Sequence, residues 1–405
     1  MSGRFAQVRR SRAAAVTLVT AAAFIDLVAY SAAVPVLPDY ARRLGASPTI
    51  IGLLFASFGV TLLAVSLPMG AISDRAGRKL PLIGGLVILG AASLLFAFAR
   101  TLPLLFCARL LQGVGDAITW VVGLALVADL YEPERRGRVI GLVMSGTSFG
   151  VMIGPSIGGW LYQIGGIELP FLVVAGAAGL DAVAFLFLHV PQPAGQASRG
   201  PILTVLRTPA VAACAAAVVA GASTLAMLEP TLPMFLSARL GLDPAAVGLL
   251  FGLAAIASVS LPPVYGRLAD RWGARRLTHL GLLLTAAALP FLSLSWNMRS
   301  AGAFIILAWT MAALIITPSL AYMADAVSES GAEAYGIAYG VYNVAWACGL
   351  LLGPALGGFL FERVGFQTLL LIWAPALLVA TLIMRAGTKA GPYGSQFQEI
   401  SSSTE

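Results

Sequence analysis

Twelve apolar stretches, each long enough to span a lipid bilayer as a helix, run through this chain with little between them. They fall at residues 13–38, 48–72, 80–99, 101–129, 137–162, 169–190, 209–237, 244–268, 276–295, 300–324, 334–361 and 367–386. Hydrocarbon offers no partner to a backbone N–H or C=O. A run of about 20 apolar residues therefore crosses it as a helix whose hydrogen bonds are internal. The expected fold is an all-α membrane protein with twelve transmembrane helices. With 59% hydrophobic and 11% charged residues among 405, the chain is more apolar than a soluble domain requires.

The stretches come as two related sets of six. Gly141 to Gly159 reads GLVMSGTSFGVMIGPSIGG, and Gly340 to Gly358 reads GVYNVAWACGLLLGPALGG. Both place glycines and a Gly-Pro pair at the same spacings. Gly146, Gly150, Gly154 and Gly158 recur every fourth residue, as do Ala345, Gly349, Gly353 and Gly357. Such a stripe lies on one face of a helix and lets another helix approach closely. Pro155 and Pro354 remove one helical hydrogen bond each, so both helices are expected to bend. The repeat extends further. PVLPDY at Pro35 to Tyr40 matches EPTLPMF at Glu229 to Phe235, and RRLGASPTIIGLLFA at Arg42 to Ala56 matches ARLGLDPAAVGLLFG at Ala238 to Gly252. GAISDRAGRKL (Gly70 to Leu80) has its counterpart in GRLADRWGARRL (Gly266 to Leu277). The expected domains are a six-helix bundle over 1–190, a linker over 191–208, a second bundle over 209–386, and a polar, disordered tail over 387–405.

Net charge is +7, and its placement argues for topology rather than nucleic-acid binding. With a cytoplasmic N-terminus, eighteen Lys and Arg fall in cytoplasmic segments, six on the opposite side, and Arg109 within a helix. The positive-inside rule then puts both termini in the cytoplasm. The basic start followed by an apolar run resembles a signal peptide. The later counterpart of Pro35 to Pro38 argues against its cleavage. Short loops rich in Ala and Gly fit a bacterial inner membrane.

Cys107, Cys214 and Cys348 lie in apolar segments without disulfide or metal spacing. His189 and His279, the only histidines, sit near helix ends. With no nucleophile–base pair, metal cluster or phosphate loop, no cofactor, metal or enzymatic activity is expected. The expected partners are the lipid bilayer, protons and a small-molecule substrate, with the chain acting as a monomer.

Polar groups inside apolar segments are costly and mark candidate sites. Asp26 sits mid-helix with Tyr30 one turn along. Glu229 precedes Pro230, where a break in the helix is expected. Arg109, Gln112 and Asp116 share a face of segment 4. Asp116 either pairs with Arg109 or another polar group, or carries a proton unpaired. Asp26 and Glu229 have structural alternatives as hydrogen-bonded packing acids, and the sixth-segment Asp181 favours such a role. On segment 11, Tyr339, Tyr342, Asn343 and Trp346 share a face, and segment 10 adds Trp309 and Met311. Aromatic faces suit cations and flat apolar molecules, although core packing is the alternative. In the cytoplasmic turns, Gly70, Asp74, Arg75, Gly77 and Arg78, with Gly266, Asp270 and Arg271, are read as a repeated structural latch. Gly150, Gly154, Pro155, Gly158, Gly353 and Pro354 complete the conformational motifs.

These motifs resemble the major facilitator superfamily. Gly70 to Leu80 is similar to its signature between helices 2 and 3. ARLLQG at Ala108 to Gly113 resembles its helix 4 motif, and Gly141 to Gly159 its helix 5 motif in proton-coupled antiporters. The resemblance covers residues 13–386. It implies two six-helix bundles around a central cavity, alternating access, and helices 1, 4, 7 and 10 lining that cavity. DLVAYSAAVPVLP, IGLLFAS, AMLEPTLP and YGIAYGVYNVAW resemble the drug:proton antiporter group, and within it the vesicular amine transporters and their bacterial relatives. The acids of helices 1, 6 and 7 then fall on Asp26, Asp181 and Glu229. The helix 2 lysine falls on Phe58, the acids of helices 10 and 11 fall on Ala313 and Asn343, and Asp116 is additional. The resemblance also implies that Arg109 steers proton transfer near Asp26, with a static brace as the alternative.

The expected activity is proton-coupled antiport that exports small amphipathic or cationic drug-like molecules. A carboxyl group in a membrane is expensive to keep charged, so it takes up a proton that an arriving cation can expel. The alternatives are a siderophore or sugar exporter, an uptake symporter, and a membrane sensor that moves nothing.

Overall fold

A computed structural model describes residues 12–189, 208–329 and 335–389. The linker and most of the tail lie outside the described residues. The elements are α1 (Arg12–Arg43), α2 (Pro48–Ala76), α3 (Lys79–Phe98), α4 (Leu102–Leu130), α5 (Pro133–Gly165), α6 (Glu168–Phe187), α7 (Pro209–Leu240), α8 (Pro244–Ser260), α9 (Pro262–Trp272), α10 (Ala274–Ala288), α11 (Met298–Glu329) and α12 (Tyr335–Lys389). A 3₁₀ turn, Leu289–Leu294, extends α10.

Three boundaries differ from the sequence expectation. Segment 8 is two helices, α8 and α9, bent by 41° where Pro262 and Pro263 follow Leu261. Segments 11 and 12 form one run, interrupted only at Gly365, whose φ of 76° is left-handed. Among the described residues, ten helices are long and apolar enough to cross a membrane, or eleven with the bent pair as one span. The run Gly340–Leu382 has 43 residues. At 1.5 Å per residue it is about 65 Å long, twice the hydrocarbon thickness, so the Gly365 break divides it into two crossings. The third difference is α7, which continues through Pro230 and Pro233 without the expected break. Prolines are tolerated in membrane helices whose freed carbonyls are satisfied by their packed surroundings.

The described residues form two compact units. The first contains α1–α6 with Leu228–Ile256 and Pro354–Glu362. Here α1 packs along α5 and touches α4 and α6, α4 packs between α2 and α3, and α3 packs on α6. Val19, Leu82, Leu86, Val122, Leu126 and Phe185 meet in its core.

The glycine stripe explains the α1–α5 seam. A Cβ added at Gly146 would lie 2.6 Å from Thr20 Cγ2, and one at Gly150 would lie 2.8 Å from the Phe24 carbonyl. One at Gly154 would overlap the Ser31 hydroxyl, and one at Gly158 would meet Ala32 O at 2.6 Å. Only glycine permits this separation along four turns. The second glycine of the pair faces elsewhere, since a Cβ on Gly159 would lie 2.8 Å from Ala245 Cα of α8. Likewise, a Cβ on Gly52 of α2 would lie 2.9 Å from Gly358 Cα of α12.

The N-termini of α2 and α8 are capped differently. Glu362 Oε2 of α12 accepts hydrogen bonds from Ser47 Oγ and Thr49 N, both at 2.8 Å. Asp243 instead caps its own helix α8, accepting from Ala246 N at 2.8 Å. Each start thus has one carboxylate near the positive end of the helix. In α2 it comes from another helix.

The second unit contains α7 up to Met227, Ala257–Gly353 and the described chain from Arg363. Here α10 packs on α11, and α9 on both. The second glycine stripe packs on α7 as the first does on α1. A Cβ at Gly349 would lie 2.9 Å from Ser223 N, and one at Gly353 would lie 2.8 Å from Ser223 Cα.

Candidate proton and substrate site

Four helices of the first unit supply the site. Residues Arg109, Gln112, Asp116 and Thr119 descend one face of α4 at helical spacing. Glycines fix that face. A Cβ on Gly113 would strike Thr61 Oγ1 and lie 2.6 Å from the Phe58 carbonyl of α2, while one on Gly115 would lie 3.1 Å from the Gly85 carbonyl of α3. Wedged between α2 and α3, α4 has little room to turn.

Asp26 of α1 is 2% exposed. Its Oδ2 accepts a hydrogen bond from Thr119 Oγ1 at 2.7 Å, and its Oδ1 has no hydrogen-bond partner among the described residues. Asp116, one turn before Thr119 on α4, offers its backbone carbonyl to the same hydroxyl at 3.1 Å and is the acidic neighbour of Asp26.

Arg109 is fully buried. Its guanidinium carbon lies 5.0 Å from the centre of the Tyr30 ring, 4.9 Å from that of Phe55 and 5.1 Å from that of Phe58. Its Nη1 donates to Gln112 Oε1 at 2.7 Å, while Nε and Nη2 have no hydrogen-bond partner among the described residues. The alternative of an Arg109–Asp116 ion pair is not realised among the described salt bridges. The guanidinium sits in an aromatic cage, where ring faces replace part of the lost hydration. Phe58, at the position expected of a lysine, forms one wall of it.

Glu229 of α7 joins through Tyr30. The phenol donates to Glu229 Oε2 at 2.7 Å and also forms a wall of the Arg109 cage. Asp26, Tyr30, Arg109, Asp116 and Glu229 are thus brought together. Thr119 and Phe55 complete the group and were not singled out by the sequence reading. Thr119 continues the 109–112–116 stripe by one more step, a legible signal, whereas Phe55 looks like any core aromatic.

Other candidates lie apart from this group. Asp181 on α6 is 5% exposed, and its Oδ2 lacks a hydrogen-bond partner among the described residues. Trp309, Tyr342, Asn343 and Trp346 belong to the second unit, all half-buried. There Tyr342 OH donates to the Ile316 carbonyl at 3.4 Å. Tyr339 has its backbone in α12, and its side chain lies outside the described residues.

The two cytoplasmic-turn motifs differ. Arg78 is 7% exposed and pairs with Asp74 at 2.6 Å and Asp129 at 2.8 Å, while its Nη1 also donates to Ser73 Oγ at 2.7 Å. Burial disfavours its charge, but the hydrogen bonds to Asp129 and Asp74 outweigh that and hold the guanidinium above its ordinary value. Asp129 at the end of α4 is a partner the sequence reading did not name. Asp270 and Arg271 form no such network among the described ion pairs. Alanine 274 stands at the place of Arg78 in the second copy, so the bridging guanidinium is missing.

The model of the Major Facilitator Superfamily matches residues 19–228 and 212–398. The chain belongs to this superfamily. As a member it is a multi-pass membrane protein. It is 30% identical over 330 residues to the human chromaffin granule amine transporter, a match covering 80% of this chain and 62% of that protein. It is 31% identical over 329 residues to the bovine synaptic vesicular amine transporter, covering 80% of this chain and 63% of the relative. The chain thus spans just over three fifths of the length of these relatives. A probable vesicular acetylcholine transporter-B of Danio rerio is 29% identical over 406 residues, covering 94% of this chain and 81% of that one. Among solved structures, a bacterial homologue of the human lysosomal transporter Spinster, inward-facing and occupied, superposes with a TM-score of 0.79 at 14% identity, covering 93% of this chain and 97% of that one. That likeness supports the superfamily fold.

Proposed function

We propose that this transporter is a proton-coupled antiporter that exports small organic cations, amphipathic amines and drug-like compounds among them. The observation that carries this reading is the group of three carboxyls, Asp26 buried and Asp116 and Glu229 half-buried, beside the guanidinium of Arg109. With all three ionised the group would hold two uncompensated negative charges inside the membrane-spanning helices. Such charge is expensive there. Protons or an organic cation can neutralise it, and the two compete for the same carboxyls. That competition is the physical basis of exchange. The similarity to amine transporters supports an organic cation over a neutral sugar.

In this reading Asp26 and Asp116 carry the exchangeable proton. Glu229 and Tyr30 bind it or the substrate amine, and the Arg109 cage keeps a fixed positive charge close by. Tyr339, Tyr342, Asn343, Trp346 and Trp309 supply aromatic and amide surface for the substrate. The protein sits in the cell's inner membrane with both termini cytoplasmic, as a monomer of two six-helix halves, 1–190 and 209–386. The test is uptake of a radiolabelled amine into proteoliposomes with an acidic lumen. Uptake that collapses with the pH gradient supports the reading. Uptake indifferent to the gradient, or confined to neutral compounds, rejects it.

A further inference from the structure

Thr119 is the hydroxyl that touches Asp26. It is 5% exposed, and its Oγ1 lies 2.7 Å from Asp26 Oδ2, 3.1 Å from the Gly115 carbonyl and 3.1 Å from the Asp116 carbonyl. One hydroxyl proton serves these three acceptors. When Asp26 is a carboxylate, the shortest and charge-assisted bond is to Oδ2. When Asp26 carries its proton on Oδ1, Oδ2 is the oxygen of a neutral carboxyl group and a weaker acceptor, and the hydroxyl proton is shared with the α4 carbonyls. The methyl group helps to fix the side chain. A Cβ on Gly85 of α3 would lie 3.3 Å from Thr119 Cγ2, so the methyl packs on that glycine and limits χ1 to rotamers that keep the hydroxyl within reach of Asp26.

We infer that Thr119 is a positioning residue that sets the proton affinity of Asp26 and directs the exchangeable proton to Oδ1, the oxygen left without a hydrogen-bond partner. The inference rests on Asp26 being the exchanging carboxyl, as proposed above. Its neighbours on every packed helix are accounted for. The α4 face presents Asp116 and Arg109, and α7 presents Glu229 through Tyr30. The α5 seam presents glycines, and α6 packs Val174 and Ala178 against Ile25 and Ala29 of α1, with Asp181 three residues further along α6. Thr119 is thus the neutral donor to this carboxyl. A hydrogen bond to the charged form stabilises it, so removing the donor must raise the pH at which Asp26 loses its proton.

The test is an infrared titration of the purified protein, following the protonated-carboxyl C=O band that Asp26→Asn abolishes. Thr119→Val keeps the shape and removes the donor. Its midpoint is expected to rise by about one pH unit. Thr119→Ser keeps the donor and is expected to titrate close to wild type. Asp116→Asn removes a like charge and is expected to move the midpoint to lower pH. An unshifted Thr119→Val midpoint overturns the inference but leaves proton exchange at Asp26 intact. A Thr119→Ser shift as large as that of valine reduces Thr119 to packing and also overturns it. Should wild type show no titrating band that Asp26→Asn removes, the assignment of Asp26 fails, and this inference with it.

Discussion

Alanine at Gly158 is expected to destabilise the protein, whereas alanine at Gly179 is not. At Gly158 the added carbon would lie 2.6 Å from Ala32 O and 2.7 Å from both Ala32 Cα and Cβ. Ordinary carbon contacts lie at about 3.5–4.0 Å, so α1 and α5 must separate by roughly 1 Å. Two of the three obstructing atoms are backbone, and Gly150 and Gly154 hold the same seam closed. Overpacking of this kind costs about 1–3 kcal/mol. Gly179 of α6 is exposed and has nothing within 4 Å of an added carbon. There alanine only improves helix propensity, a gain of up to about 1 kcal/mol. The assay is unfolding of both variants in mixed micelles by titration with a denaturing detergent, followed by tryptophan fluorescence. The two midpoints should move in opposite directions from wild type, or Gly179→Ala should stay unchanged. A Gly158→Ala protein as stable as wild type would refute the claim that the stripe sets the helix separation.

Further expectations follow from the polar contacts. Glu362→Gln weakens the cap that α12 places on α2, by about 0.5–1 kcal/mol. Spin labels at Leu53 and Phe359 should then report a broader, longer distance distribution. Adding Ser47→Asp, which copies the Asp243 arrangement, should restore the helix cap but not the distance; an unchanged distribution in Glu362→Gln argues against the contact. Arg78→Lys should lower the unfolding midpoint, because an ammonium cannot reproduce a fork that meets Asp74, Asp129 and Ser73 together. Each charged hydrogen bond lost costs about 1.5–3 kcal/mol, and wild-type stability in Arg78→Lys would contradict the network.

Much of the fold was legible in the sequence because membrane helices must be long, apolar and self-satisfied. The repeat was legible because glycine spacing reports helix contact directly, and both stripes pack on the helix at the start of their own half, α1 and α7. The bend at Ser260–Pro262 was hidden, since its flanks are as apolar as any span. The continuity of α7 through Pro230 was hidden as well, because a proline alone does not reveal what satisfies the freed carbonyl. At the candidate site, Asp26, Arg109, Asp116 and Glu229 stood out as polar groups in apolar surroundings. Their connections did not. The Tyr30–Glu229 bond joins residues 199 apart, and Thr119 looks like any hydroxyl in a helix until Asp26 is placed opposite. The latch likewise needed Asp129, 51 residues beyond Arg78, which local spacing cannot supply.

The central claim is that an organic cation and a proton compete for one buried carboxyl group. The direct measurement is proton release when a saturating amine is added to the detergent-purified protein in unbuffered solution, with Asp26→Asn alongside. The account predicts a stoichiometric acid pulse from wild type near neutral pH, and a pulse lost or sharply reduced in Asp26→Asn. Amine binding with no proton release from wild type, or an undiminished pulse from Asp26→Asn, would contradict it.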